Sequence, residues 1–198
     1  MKRLIVAMGD STTAGTPGWK SRIEAPPAGA GDQTSQYAWW LMQDEPDWEV
    51  LNHGVNGERS DQISARFERD VVDHKPWQVV IIAGVNDVYQ GRDAAHVIEW
   101  LGAMYERAAA ERIGVVAGSI VPYNTATADQ NSRMRQINDW IRKRAGEDEN
   151  ITFVDTRAAA ATAADPDRLF DSPDDLHPSA EGYRRMADAI RAGLKQVR

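Results

Sequence analysis

The sequence contains no cysteine. Disulfides, thiolate zinc sites and thiol nucleophiles are therefore excluded, while the redox state of its compartment stays open. Long apolar runs are also missing, and none reaches the roughly 20 residues that a membrane-spanning helix needs. Basic residues are in the minority: 23 Lys and Arg stand against 30 Asp and Glu, for a formal net charge of −7. That balance disfavours a nucleic-acid partner, which calls for a basic face, and disfavours docking on an anionic membrane. Lys2 and Arg3 precede an apolar run of only Leu4 to Met8. Such a run is shorter than a signal-peptide core and is needed as a strand, so the expectation is a cytoplasmic chain. No linker composition and no internal repeat divides the sequence, and nothing in it reports an oligomeric state.

What is present is enough for one α/β domain over residues 1–198 with a substantial core. Five short β-type runs, at residues 4–8, 49–52, 79–83, 113–118 and 151–154, read as strands. Most are continuously apolar, which suits parallel strands covered on both faces. Between them lie helical stripes. Ser60 opens one that carries Ile63, Phe67 and Val71, and a second carries Val97, Leu101, Met104, Tyr105 and Ala108. Met134, Ile137 and Ile141 mark a third. A last helix begins near Ser179, with Tyr183, Met186, Ile190 and Leu194 on one face. Glu181 in its first turn and Lys195 in its last suit the helix dipole. A shorter helix over 37–43 precedes the second strand, and Pro46 closes it. Strand and helix alternate along the whole chain, which gives a doubly wound parallel sheet. The Ala-rich residues 158–164 fit a helix or a loop equally well. Residues 16–34 are rich in Pro and Gly and too long for a routine connection, which marks them as a candidate functional loop. They leave the first strand's turn directly, so the expectation is a lid that passes near Ser11, with Trp19 at its mouth.

In open α/β sheets ligands sit beyond the carboxyl ends of the strands. The polar motifs fall there. Gly9-Asp10-Ser11 follows strand one, and Asn52-His53-Gly54-Val55-Asn56-Gly57 follows strand two. Gly84-Val85-Asn86-Asp87 follows strand three, and Asp174-Asp175-Leu176-His177-Pro178 precedes the final helix. Each has an ordinary alternative. Gly-Asp-Ser is also a helix N-cap, and Asn-Gly and Asn-Asp pairs are common turn formers. His53 reads as a locally packed or capping residue. Glu58 and Arg59 read as a solvated pair, with Arg59 as a candidate cleft residue. Asp-x-x-His occurs twice. Asp93 and His96 lie at a helix start, where positions i and i+3 share a face, and read as a surface pair. Pro178 disfavours a helical backbone at His177. A loop histidine there can fold back so that Asp174 meets Nδ1 and Nε2 is left to face Ser11.

In this order and with this placement on strands, the four blocks resemble those of the SGNH hydrolases, the GDSL esterase/lipase family, over nearly the full length. The family likeness implies a flavodoxin-like three-layer α/β/α sandwich whose five-stranded parallel sheet has the order 2-1-3-4-5. It implies Ser11 as nucleophile, His177 as base and Asp174 as orienting acid. It further implies an oxyanion hole from the Ser11 and Gly57 N–H groups and the Asn86 side chain. Thr12 stands where the family often has Leu, and Val85 where many members have a second Gly; neither change touches a catalytic atom.

These residue types suit acyl transfer. A serine hydroxyl needs a base to take its proton, the base needs an acid to fix its tautomer, and the developing oxyanion needs donors already in place. Asp10 reads as a structural acceptor. No step calls for a cofactor, and no ligand cluster points to a metal. The expected substrate is a small or medium carboxylic ester, with carbohydrate deacetylase, lysophospholipase and thioesterase activity as alternatives inside the family. Trp19, Tyr123 and Arg59 are the candidates for substrate contact, and core packing is the expectation for at least one of Trp39 and Trp40. A non-catalytic binding module on the same scaffold is the rival from another class. A receiver domain would carry an acidic cluster and a lysine at the strand ends, where this chain has Ser, Gly, Asn and His.

Overall fold

The computed structural model describes residues 2–195. The chain enters β1 (Arg3–Gly9), turns at Asp10 into the single-turn helix α1 (Ser11–Ala14), and forms a small hairpin of β2 (Trp19–Lys20) and β3 (Ala30–Gly31). A 3-10 turn (Gln33–Ser35), α2 (Tyr37–Asp44) and β4 (Trp48–Gly54) follow. Next come α3 (Ser60–Ala65), α4 (Phe67–Asp70), a second 3-10 turn (Val72–His74), β5 (Gln78–Ile82), α5 (Val85–Tyr89) and α6 (Ala94–Ala110). The last part runs through β6 (Gly114–Gly118), α7 (Ala128–Glu147), β7 (Ile151–Val154), α8 (Thr156–Ala160), β8 (Ala161–Thr162), β9 (Asp165–Leu169) and α9 (Ala180–Leu194). Among the described residues no helix is long and apolar enough to cross a membrane.

The large sheet has five parallel strands in the order β4-β1-β5-β6-β7. Counting these five alone, that is the expected 2-1-3-4-5. The continuous apolar runs are explained by burial on both faces. In β1 and β5, Val6, Met8, Val79 and Ile81 enter one core, with α6 and α7 residues such as Leu101 and Ile137. Their neighbours Ile5, Ala7, Val80 and Ile82 enter the other, with Tyr37 and Leu41 of α2 and Met186 and Ile190 of α9. Each fully buried aliphatic side chain of this kind contributes about 1.5–3 kcal/mol relative to exposure. The register brings Gly9 level with Gly54 on one side and Ile82 on the other, so the site loops leave the sheet at one height.

Several local expectations change. The stripe opened by Ser60 is two short helices, because the chain breaks at Arg66 (φ −104°, ψ 6°). Arg66 turns its guanidinium inward to polar partners that a continuous surface helix would not offer. The Ala-rich stretch divides into the end of α8 and the short strand β8, which pairs with β9. Residues 16–34 carry a short hairpin with a tether to β4. Trp19 pairs with Gly31 and Lys20 with Ala30 in the hairpin, and the Ser21 hydroxyl donates to the Gly54 carbonyl at 2.5 Å.

Candidate active site

The nucleophile turn is built by its own residues. Gly9 ends β1 flush against the Ile82 carbonyl and the Thr13 side chain, where a Cβ would clash. Asp10 caps α1, its Oδ1 accepting the Thr12 N–H at 2.9 Å. Gly15, at φ +106°, ends that single turn in the left-handed region that favours glycine. Ser11 is held at the C-terminal edge of the sheet and is nearly buried. Asp10 is the structural acceptor expected. Its Oδ2 has no partner among the described residues, and burial pushes the carboxyl up to about 7.

His177 comes from the loop before α9, 166 residues along the chain. Its Nε2 lies 3.0 Å from Ser11 Oγ and its Nδ1 lies 2.7 Å from Asp174 Oδ2. Asp174 Oδ1 accepts the N–H groups of Leu176 at 3.0 Å and His177 at 2.8 Å, so both of its oxygens are engaged. Burial raises the Asp174 pKa, but the hydrogen bonds from the His177 ring and these two N–H groups outweigh it and hold the carboxyl below its ordinary range. The loop carrying the pair is itself braced. Asp175 adopts φ +62°, its carbonyl accepts the Asn124 N–H at 2.8 Å, and its Oδ1 accepts Asn124 Nδ2 at 2.9 Å. The Ser172 hydroxyl donates to the His177 carbonyl at 2.7 Å.

Of the three implied oxyanion donors, Asn86 faces the same cleft as Ser11 and His177. One Nδ2 proton goes to the Glu58 carbonyl at 2.9 Å, which leaves the second amide proton for a ligand. Gly57 sits at φ +81° in the turn after β4, and its neighbour Asn56 lines the cleft. That turn is fixed from outside: Glu24 Oε1 accepts the Asn56 N–H at 2.9 Å. The cleft holds 180 Å³, and Val85, Tyr89, Tyr123 and Leu176 supply its apolar wall.

Tyr123 is therefore where it was expected, and the other two candidate contacts are not. Trp19 is buried and lines a separate cavity together with Trp39 and Met42 of α2 and Val50 and Asn52 of β4. Arg59 is drawn away by Asp61, with two hydrogen bonds of 3.1 Å, and by Gln90 at 3.2 Å. It is not paired with Glu58, whose carboxylate meets Arg66 at 2.7 Å. His53 packs as expected, with Nδ1 2.8 Å from the Asp70 carbonyl, and burial pushes its pKa down.

His96 is not a surface partner of the Asp93 carboxylate. Its backbone N–H donates to Asp93, while its ring turns towards Asp87, with Nε2 3.7 Å from Oδ1. Asp61, Asp87 and His96 thus converge, although no metal ligand set was expected. Both Asp87 oxygens already accept from Ser60, at 2.8 and 2.7 Å, and both Asp61 oxygens accept from Arg59.

Arg66 is the principal site-supporting residue not anticipated from the sequence. Buried to 8% exposure, its guanidinium donates to the Gly9 carbonyl at 3.0 Å and pairs with Glu58 and Asp70 at 2.7 and 2.8 Å. It ties the nucleophile turn to the Glu58 segment that Asn86 also contacts. Its only trace in the sequence is a charge falling inside the Ile63–Phe67 apolar stripe.

Comparison with known proteins bears on the family and the fold. Residues 7–185 match the GDSL-like lipase/acylhydrolase family. An acetylxylan esterase from Geobacillus stearothermophilus is 30% identical over 161 residues, which span 75% of this chain and 71% of that protein. A member of the lipolytic protein G-D-S-L family from Veillonella parvula superposes with a TM-score of 0.79 at 20% identity, over 98% of this chain and 99% of that one. A catalytic mutant of the Geobacillus stearothermophilus acetylxylan esterase superposes with a TM-score of 0.72 at 24% identity, over 98% and 95%. At these two identities the structural likeness concerns the fold.

Proposed function

This chain belongs to the GDSL-like lipase/acylhydrolase family and is a carboxylic ester hydrolase; on that premise we propose that it cleaves short-chain esters through an acyl-enzyme on Ser11. The observation that carries the reading is the relay Ser11 Oγ–His177 Nε2–Asp174, at 3.0 and 2.7 Å, assembled from segments far apart in the chain.

In the first half-reaction Ser11 Oγ attacks the ester carbonyl carbon while its proton passes to His177 Nε2. The Asp174 carboxylate stabilises the imidazolium and fixes the ring. The carbonyl oxygen takes up negative charge and is met by the Ser11 N–H, the Gly57 N–H and the free Asn86 amide proton. Collapse breaks the bond to the alcohol oxygen, which leaves with the proton from Nε2. In the second half-reaction water attacks the acyl carbon, His177 takes a water proton and returns it to Ser11 Oγ, and the carboxylic acid departs.

The cleft's 180 Å³ is the room of about six waters at roughly 30 Å³ each, which suits an acetyl or similarly short acyl group. A second reading follows from the 30% identical acetylxylan esterase: the ester is an acetyl group on a sugar. Rates on p-nitrophenyl acetate, butyrate and octanoate, set beside acetylated xylo-oligosaccharide, test both. Acetate is expected to be fastest, and octanoate turned over faster than acetate would overturn the short-chain reading. Fluorophosphonate labelling of Ser11 separates an esterase from a non-catalytic binding module, since only an activated serine reacts quickly.

A further inference from the structure

The β2–β3 hairpin, displaced from the Ser11 cleft, closes one wall of a second cavity. It holds 270 Å³ and lies against α2 and the C-terminal half of β4, and it shares no lining residue with the cleft. That volume is room for about nine waters at roughly 30 Å³ each. Its wall combines Trp19, Arg22, Gln36, Trp39, Met42 and Asn52.

Three of these have no part in the chemistry at Ser11, and each has unused recognition capacity. Gln36 is only 5% exposed. Its Oε1 accepts Asn52 Nδ2 at 2.7 Å, while its own amide N–H groups find no acceptor among the described residues. Amide donors without a protein acceptor are free to meet a ligand or water in the cavity that Gln36 lines. Arg22 lines the same cavity and forms no ion pair or side-chain hydrogen bond among the described residues, although acidic residues outnumber basic ones. Trp39 is half-buried, and Trp40 fixes its ring edge-to-face at 4.6 Å.

A flat apolar ring beside idle amide and guanidinium donors suits a ligand with an apolar face and a hydroxyl rim. An acyl chain would cover the indoles and leave the Gln36 donors unmet. An inorganic anion would meet Arg22 and ignore the indoles. We propose that this cavity is a pyranose-binding site separate from the cleft, with which the enzyme holds a sugar ring of its carbohydrate. The proposal rests on the acetylated-sugar reading for its choice of ligand. Asn52 connects the cavity to the nucleophile frame, since Nδ2 also donates to the Ala14 carbonyl of α1 at 3.0 Å and Oδ1 accepts the Gly54 N–H at 3.0 Å.

Calorimetric titration with unacetylated xylotetraose tests the site, because the probe has no ester and its binding is read whether or not acetylated sugars are substrates. Hydrolysis of p-nitrophenyl acetate is followed with and without the probe. Saturable binding is expected, with no competitive inhibition of p-nitrophenyl acetate, and weakened at least about tenfold by Trp39→Ala and by Gln36→Glu. The glutamate keeps an acceptor for Asn52 and removes the donors. Arg22→Ala, at an exposed position, tests the same wall should Trp39→Ala fail to fold. No binding, binding that competes with p-nitrophenyl acetate, or binding that none of these substitutions weakens overturns the proposal. Loss of acetylated-sugar turnover with xylotetraose binding intact would overturn the substrate reading alone.

Discussion

The Glu24 carboxylate accepts the Asn56 N–H at 2.9 Å across 32 residues of chain, and so braces the turn that carries Gly57. The same side chain accepts the Ser21 N–H at 3.1 Å, while the Ser21 hydroxyl reaches the Gly54 carbonyl. Glu24 is thus a positioning residue for the proposed oxyanion donor. Glu24→Ala should lower kcat by about 10- to 100-fold with KM little changed, because a small misplacement of a donor weakens it in the transition state. Glu24→Gln, which keeps an acceptor oxygen, should recover most of the rate. Wild-type kcat in the alanine variant would remove Glu24 from this role.

Excising residues 24–32 takes away Glu24 and β3 together. Turnover of small and bulky esters should therefore fall in parallel, and the melting temperature should drop with them. Selective loss of the bulky substrate at an unchanged melting temperature would restore the lid that the sequence suggested.

Ser11→Ala and His177→Ala should each lower kcat on the order of 10³-fold or more, and the double variant should be barely worse, since the pair acts as one unit. His96→Ala should leave turnover near the wild-type rate, because its ring meets Asp87 and not Ser11. Inactivation by His96→Ala with His177→Ala active would reverse the assignment.

Asn86→Ala should reduce kcat by about 10²–10³-fold, by removal of one oxyanion donor. Asn86→Asp should do no better, as an anion there repels the developing charge. A raised KM at normal kcat would make Asn86 a substrate binder and not a transition-state stabiliser.

The buried Asp10 carboxyl predicts a pH effect on stability. Burial pushes its pKa from 3.8 up to about 7, with the nearby Asp87 charge adding to the rise. Between those values the folded chain keeps a proton that the unfolded chain releases. The Asp10 contribution is therefore present at low pH and is lost as the pH rises from about 4 to about 7. Asp10→Asn keeps an oxygen for the Thr12 N–H and cannot ionise. The melting temperature of this variant should fall less than that of wild type over the same interval; equal slopes would show that Asp10 is not the source.

The sheet was legible because burial on both faces writes continuous apolar runs into the sequence, and β7 lies where its run does, at Ile151–Val154. The helix opened by Ser60 was misread for a related reason. Ile63, Phe67 and Val71 do enter the core, but periodicity reports which side is buried and not whether the backbone is continuous at Arg66. Trp19 was misplaced at the cleft mouth because Pro and Gly in the 16–34 stretch mark irregular backbone without stating what it packs on.

The sequence by itself determined the strand–helix alternation of a doubly wound sheet, the edge of the sheet where Ser11, Asn86 and His177 emerge, and a reason to prefer His177 to His96, because Pro178 keeps His177 out of a helix. These follow from local periodicity, turn chemistry and ordered motifs. Only the tertiary structure decided that Trp19 lines a second cavity, that Glu24 braces Asn56, and that Arg66 ties β1 to the Glu58 segment. The physical reason is sequence separation. Glu24 and Asn56 stand 32 residues apart and Arg66 and Gly9 stand 57 apart, and a contact of that span leaves no periodic trace in a single chain.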